Sequence, residues 1–308
     1  MTFLGYDLAG KALELGDPLE LSLSFDRDAP ADLLRVKFPA DSRWQELAEV
    51  RIIERGSTFF RGIVDEQNTT LSASGLQVEL ICRSMEALLL DNEAAPETVL
   101  SPALPTLEKK LLTPVGLTLG RGDRGRKPGK LTIGKGDSCW TALAGFCRDF
   151  LGTTPYVDEA GAVHCESAEP KKLRLSHVLS AELHQKPCKY ITQVWKQNSL
   201  GGYDTLYQGS RPGVCRRRYV SMESGRDPRS ILAKGKRESF LLTVTCQGAV
   251  WGLRDALVTV TVPGAGTFTD CPVQSARYRR DRAGERTTLV LERGKEEDYV
   301  ADATAGKK

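Results

Sequence analysis

Two consecutive stretches decide the fold: Val50-Arg-Ile-Ile-Glu-Arg-Gly-Ser-Thr-Phe-Phe-Arg-Gly-Ile-Val-Asp65 and Gly75-Leu-Gln-Val-Glu-Leu-Ile-Cys-Arg-Ser-Met-Glu-Ala-Leu-Leu-Leu-Asp91. In the first, apolar runs at 50–53 and 59–64 flank Glu54-Arg-Gly-Ser57, where Gly56 can supply the positive φ of a tight hairpin turn. A third strand over 76–81 follows, reached through a polar turn over 68–75. The alternation stops at Ser84, which is the expected cap of a short helix over 85–90.

Toward the N-terminus, Leu19-Glu-Leu-Ser-Leu-Ser-Phe25 and Leu34-Arg-Val-Lys-Phe38 alternate apolar and polar residues, the period of a half-buried strand, and the second stops at Pro39. The first fifteen residues are irregular. Strands recurring at a spacing of roughly 12 residues make 1–95 a small antiparallel β-barrel domain.

The period changes over 96–172. Thr106 caps a helix through Leu107, Leu111 and Leu112 that Pro114 and Gly116 end. Beyond a Gly- and Arg-rich loop, a strand at 130–133 and a turn at 134–138 lead into a helix with Trp140, Leu143, Ala144, Cys147, Phe150 and Leu151 on one face. Ser138 or Asp137 is its N-cap and Gly152 its stop. A hairpin over 155–165 completes a small α/β domain. From 173 to 295 the chain returns to β, with six strands separated by Gly- and Pro-rich turns and a long basic loop at 209–237. Residues 296–308, polar and rich in Gly, Ala and Lys, read as a disordered tail. The fold class is mainly β with an α+β insert.

At 40% hydrophobic and 27% charged, the 308 residues have the composition of a soluble globular chain. No run approaches the roughly 18 apolar residues of a membrane helix, and the N-terminus lacks a signal peptide's basic and apolar regions, so synthesis in the cytoplasm without a membrane span is expected. Eight cysteines without a CxxC pair read as reduced, mostly buried thiols. His164 and Cys165 would point to opposite faces of a strand, so no metal site and no cofactor are predicted.

The net charge of +3 is a sum of opposites. Residues 1–100 carry nine basic and eighteen acidic side chains, a net −9, which leaves +12 for the remainder. The excess gathers in two loops, 120–130 and 211–237, the latter holding nine basic residues against Glu223 and Asp227. Without interleaved aromatic platforms, they read as solvated or subunit-contacting loops, not as sequence-specific nucleic-acid sites.

Catalytic chemistry has little to work with. The three histidines, His164, His177 and His184, read as structural, no serine lies in a GxSxG elbow, and Gly134-Lys-Gly-Asp-Ser138 lacks phosphate-loop spacing. No catalytic residue is nominated, and the chain is not read as an enzyme. Lys130-Leu-Thr-Ile-Gly-Lys-Gly-Asp-Ser-Cys-Trp-Thr-Ala-Leu143, within the strand-turn-helix at 130–151, resembles the opening of a LysM repeat. That offers an alternative: a peptidoglycan-binding cell-wall protein using Asp137 and Trp140, or a hydrolase housed in the α/β domain. Beyond this helix the chain departs from the repeat, because a 155–163 hairpin stands where a second helix would come.

The order of motifs over about 50–295 resembles the tail or baseplate hub family of bacteriophages, the late control protein D group and the hubs of defective prophages and phage-tail-like bacteriocins. The resemblance rests on the two opening stretches, with their aromatic-x-Gly strand and Arg-Ser-x-x-x-Leu-Leu-x-Asp helix, and on Ile133-Gly-Lys-Gly-Asp-Ser-Cys-Trp140 with the Pro155-Tyr-Val-Asp-x-x-Gly161 hairpin. Its last elements are Val258-Thr-Val-Thr-Val-Pro-Gly264, Val273-Gln-Ser-Ala-Arg-Tyr278 and Thr287-Thr-Leu-Val-Leu-Glu-Arg293.

The resemblance implies a structural protein of a virion tail or tail-like particle. In such a hub, two similar β-barrels per subunit form a pseudo-sixfold ring in a homotrimer, a symmetry adaptor between the hexameric tail tube and the trimeric spike. Its implied partners are the tail tube protein, the spike protein and other baseplate proteins, with the tape measure protein a further candidate.

Overall fold

A computed structural model describes residues 1–73, 75–167, 169–209 and 214–294. The chain divides into two compact units: Met1–Glu169 with Ala249–Trp251 and Arg277–Arg286, and Pro170–Gly248 with Gly252–Ala276 and the residues from Thr287 on. The tail expected at 296–308 lies outside the described residues.

The first unit begins with seven strands: β1 (Thr2–Asp7), β2 (Ala12–Glu14), β3 (Glu20–Asp26), β4 (Leu33–Ala40), β5 (Leu47–Glu54), β6 (Ser57–Ser72) and β7 (Gly75–Ser84). They pair antiparallel in the order β2-β1-β5-β6-β7-β4-β3. The β5–β6 turn places Arg55 at φ 50° and Gly56 at φ 81°, two consecutive positive values as a type I′ hairpin requires. Gly62 explains the aromatic-x-Gly motif: a Cβ there would come within 2.4 Å of the Arg83 carbonyl oxygen and 2.7 Å of the Phe60 ring. Phe3, Phe38, Val50, Ile52, Val78 and Leu80 form the buried core on one face of this sheet.

Several expectations for this sheet are corrected. The first fifteen residues are not irregular but form β1 and β2. Their signal is hidden because Gly5 occupies a buried position of β1, its Cβ site only 2.9 Å from Leu47. Pro39 does not end β4; β3 pairs with β4 only as far as Lys37, so the missing N–H of Pro39 leaves that ladder intact. The turn expected over 68–75 is shorter, because β6 runs on through Ser72 and its polar side chains do not interfere with backbone pairing to β7.

The rest of the unit is built around a second apolar core. Its elements are α1 (Ala87–Asp91), β8 (Glu97–Leu100), α2 (Leu104–Leu107), β9 (Thr118–Leu119), β10 (Lys130–Ile133), α3 (Cys139–Phe146), β11 (Tyr156–Val157) and β12 (Ala162–His164). α2 and α3 continue as single π-helical turns, Glu108–Leu112 and Cys147–Leu151. The second continuation ends at Gly152 with φ 69°, and Ser138 caps α3 by accepting from the Thr141 N–H. The other two expected caps are corrected. Ser84 remains in β7 while Glu86 precedes α1, and Thr106 lies inside α2, whose N-cap is Ala103.

The second unit holds β13 (Lys172–Arg174), β14 (Val178–Gln185), β15 (Gln193–Gln197), β16 (Tyr203–Gln208), β17 (Arg217–Val220), α4 (Pro228–Glu238), β18 (Phe240–Gln247) and β19 (Leu257–Val262), with most of β20 (Gly266–Asp281) and β21 (Gly284–Glu292). Its larger sheet runs β14-β18-β21-β20, and β19 pairs with β20 and β13. A separate sheet runs β16-β15-β17. The expected loop over 209–237 is therefore corrected as well: it contains β17 and all but the last residue of the eleven-residue α4. Asp227 accepts from the Arg229 N–H and Pro228 occupies the first helical position, a capped helix start. The molecule is mainly β with an α-containing insert, as the patterning predicts.

Candidate functional site

The residues with chemical potential are used within the fold. His164 donates from Nε2 to Asp158 Oδ2 at 2.9 Å and accepts the Arg121 N–H at Nδ1, at 3.1 Å. Its ring stacks on Tyr156 with 4.8 Å between centroids. Both nitrogens are engaged, as expected for a structural histidine. Burial works to raise the Asp158 pKa, but His164 and two backbone N–H groups outweigh it and hold the carboxyl below its ordinary value. His177 and His184 lie elsewhere, at and within β14 in the second unit.

The LysM-like segment serves packing and turn formation. Asp137 Oδ2 accepts the Gly134 N–H at 2.6 Å, closing the turn before α3, and Trp140 rests half-buried against the α/β core. The basic loop over 120–130 is also anchored: Lys127 pairs with Asp123, Arg121 with Glu166, and the Lys127 N–H donates to the Pro102 carbonyl. Six cysteines are buried, while Cys188 and Cys215 are exposed. Burial is the leading cause that pushes the Cys82 thiol up to about 12 and raises Cys139, Cys246 and Cys271. Among the described residues no group of three or more His, Cys, Asp or Glu side chains could hold a metal ion, and no helix is long and apolar enough to cross a membrane.

Polar networks inside the first unit account for the Arg-Ser-x-x-x-Leu-Leu-x-Asp motif. Arg83 reaches Asp65 in a bulge of β6 and Asp91 at the end of α1. Ser84 accepts the Asp32 N–H and donates to Glu86 Oε2 at 2.6 Å. Glu86, 1% exposed, accepts the Val157 N–H at its other oxygen, at 3.1 Å. The strand-to-helix junction is thereby tied to β11 of the α/β core.

Most of the exposed large apolar side chains among the described residues lie in the second unit. β14 is an edge strand of its sheet, with every residue from Leu179 to Gln185 exposed. Its register sets Ala181 opposite Val244 and Leu183 opposite Leu242. Val244 and Leu242 are 0% and 1% exposed, but Leu183 is 39% exposed. The apolar face of the sheet thus continues onto a strand left open among the described residues of this unit, with a backbone edge of the kind that can pair with another chain. The β16-β15-β17 sheet has one face sealed by α4, where Ile231 and Leu232 meet Val194 and Val220. Its other face carries half-buried Trp195 with Tyr203, Leu206 and Tyr219, the last 56% exposed. None of these surfaces is visible in the sequence, because each depends on which strand ends a sheet and which face a helix covers.

No family profile and no curated protein matches the chain in sequence. Solved structures match it in fold. The 43 kDa tail protein of prophage MuSo2 from Shewanella oneidensis superposes with a TM-score of 0.77 at 14% identity, over 95% of this chain and 96% of that one. A tail protein from Neisseria meningitidis MC58 gives 0.67 at 19% identity, over 95% and 97%. The Escherichia coli c3393 protein, a type VI secretion component with structural similarity to the T4 bacteriophage tail proteins gp27 and gp5, gives 0.58 at 10% identity, over 91% and 74%. The chain has the fold of phage tail proteins, in agreement with the order of its motifs. Among them, the prophage MuSo2 and Neisseria proteins correspond to it from end to end.

Proposed function

We propose that this chain is a structural subunit of the hub of a phage tail or tail-like injection particle, without catalysis of its own. The observation that carries this reading is the correspondence, over nearly the full length of both chains, with the 43 kDa tail protein of prophage MuSo2 and the tail protein from Neisseria meningitidis MC58. The open apolar face of β14 supports it, since a long exposed edge strand is a liability in a free monomer and an asset in an assembly.

In the finer form of the proposal, the subunit works as a homotrimer. The β-rich regions 1–95 and 173–295 of three chains supply six similar elements to a ring, the α/β region 96–172 stands apart from that role, and the ring joins a hexameric tube to a trimeric spike. The protein is then located in the tail.

Mass photometry of the purified chain, alone and with the tube and spike proteins of the same particle, is the test. A species at about three times 33.8 kDa, or a ring captured on tube or spike, is the expected result. A monomer that ignores both partners but is retained on peptidoglycan would overturn the proposal in favour of the cell-wall alternative.

A further inference from the structure

We propose that Cys147 and Cys165 form an oxidation site: a buried dithiol that a small peroxide converts into a disulfide inside the α/β core. Cys147 opens the π-helical continuation of α3, and Cys165 follows β12 directly. Both are sealed in the same apolar core, at 0% and 1% exposure. Thr153 clamps their backbones together: its N–H donates to the Cys147 carbonyl at 3.1 Å, and its hydroxyl donates to the Cys165 carbonyl at 2.9 Å. The Cys165 N–H in turn donates to the Arg121 carbonyl at 2.8 Å, which fixes the second cysteine from the neighbouring loop. Within this frame the two thiols are hydrogen-bonded to each other. Among the described residues, the other four buried cysteines, Cys82, Cys139, Cys246 and Cys271, have no such sulfur partner.

The environment assigns the two roles. The hydrogen bond from Cys165, with Thr153 adding to it, holds the Cys147 thiol below its ordinary value against the effect of burial. The same bond, with burial, raises Cys165. Because the thiolate is the nucleophile, Cys147 attacks first. Its sulfur bonds to one peroxide oxygen, the O–O bond breaks, and the departing hydroxide takes up the Cys147 proton as water, leaving a sulfenic acid. The Cys165 sulfur then displaces that hydroxyl: the S–S bond forms, the S–O bond breaks, and the hydroxide leaves with the Cys165 proton as a second water. The two sulfurs together give up two electrons, which the peroxide accepts. Sulfurs this deep are closed to a protein oxidoreductase and open to a molecule of peroxide size when the core opens locally. The product closes residues 147–165 into a loop and staples the end of α3 to the β11-β12 hairpin.

The test uses the full chain carrying Cys188→Ser and Cys215→Ser, so that only buried thiols remain. The protein is reduced, treated with a several-fold excess of hydrogen peroxide and alkylated under denaturing conditions. Peptide mapping should find Cys147 joined to Cys165, reversibly with dithiothreitol, and the other four cysteines alkylated. The oxidised form should melt about 5–10 °C above the reduced form. With Cys165→Ser added, dimedone, which traps sulfenic acids, should label Cys147; with Cys147→Ser added instead, Cys165 should stay unlabelled. Cys147 and Cys165 both recovered as alkylated thiols after peroxide, a disulfide that includes any other cysteine, or a dimedone label on Cys165 would each overturn the proposal. The hub reading is decided separately by mass photometry, and none of these outcomes alters it.

Discussion

Arg83 and Asp91 are joined by two hydrogen bonds, Nη1 to Oδ1 at 3.0 Å and Nη2 to Oδ2 at 2.7 Å, while the same guanidinium holds Asp65 through Nε and Nη2 at 2.6 and 2.8 Å. One planar group thus fixes the end of β7 to the bulge of β6 and to the end of α1. Lysine, a single point donor, cannot reproduce that fork. Arg83→Lys should lower stability by about 1 kcal/mol, a modest figure because the side chains are partly exposed and solvent screens them. Urea unfolding followed by tryptophan fluorescence checks it; an unchanged midpoint would mean the fork adds nothing.

Glu49 makes stability depend on acid. Burial acts to raise its pKa, but the Arg61 and Arg51 guanidiniums prevail and hold it below the ordinary carboxylate value. The folded protein therefore binds fewer protons at this site than the unfolded chain. Its contribution is complete above the unfolded pKa and disappears as the pH falls through the folded one. Between neutral pH and about pH 3, wild type should lose more stability than Glu49→Gln. Parallel denaturation curves for the two proteins over that range would contradict this.

Glu86 should be the costliest single deletion among the polar residues. Glu86→Ala leaves the buried Val157 N–H and the Ser84 hydroxyl without their acceptor, at about 2–4 kcal/mol. Glu86→Gln, which retains one carbonyl oxygen, should lose less than half of that. Amide exchange at Val157 should accelerate in the alanine variant and stay slow in the glutamine variant.

In α4 the ordinary rule for glycine should reverse. Gly→Ala within a helix usually stabilises by about 1 kcal/mol. At Gly235, however, a Cβ would come within 2.9 Å of Ile191 and 3.0 Å of the Lys189 carbonyl oxygen. Gly235→Ala should therefore lower the melting temperature, and a rise would show that Ile191 moves aside freely.

Trp140 separates the tail reading from the LysM-like alternative. Packed half-buried on the α/β core, it should cost about 2 kcal/mol when replaced by alanine. Neither wild type nor Trp140→Ala should sediment with purified peptidoglycan; Trp140-dependent sedimentation would restore the alternative.

Elements whose cause is local were legible in the sequence. The β5–β6 hairpin, β7, and α3 with its Ser138 cap and Gly152 stop all carry their signals within a few residues. Elements that depend on distant partners were not. β1 is masked by Gly5, which Leu47 and Leu15 require to be small. α4, Pro228-Arg-Ser-Ile-Leu-Ala-Lys-Gly-Lys-Arg-Glu238, offers only the half-buried Ile231 and Leu232 as large apolar side chains, its buried residues being Pro228 and Gly235, so its charge reads as loop, although Asp227-Pro228 was an available start signal. The exposed apolar surfaces were the least legible of all. Leu183 and Leu242 look alike in sequence, and only the position of β14 at the end of its sheet distinguishes them.

The first unit draws on Ala249–Trp251 and Arg277–Arg286, where Trp251 stacks on Phe59 at 4.2 Å, donates to Glu54 at 2.9 Å, and meets Tyr278 at 4.8 Å. During synthesis, that unit must wait for residues as late as Arg286 to leave the ribosome before its core can close. At about 5–20 residues per second, the delay between making Glu169 and Arg286 amounts to roughly 6 to 23 seconds. The nascent chain spends that interval with its first core unfinished.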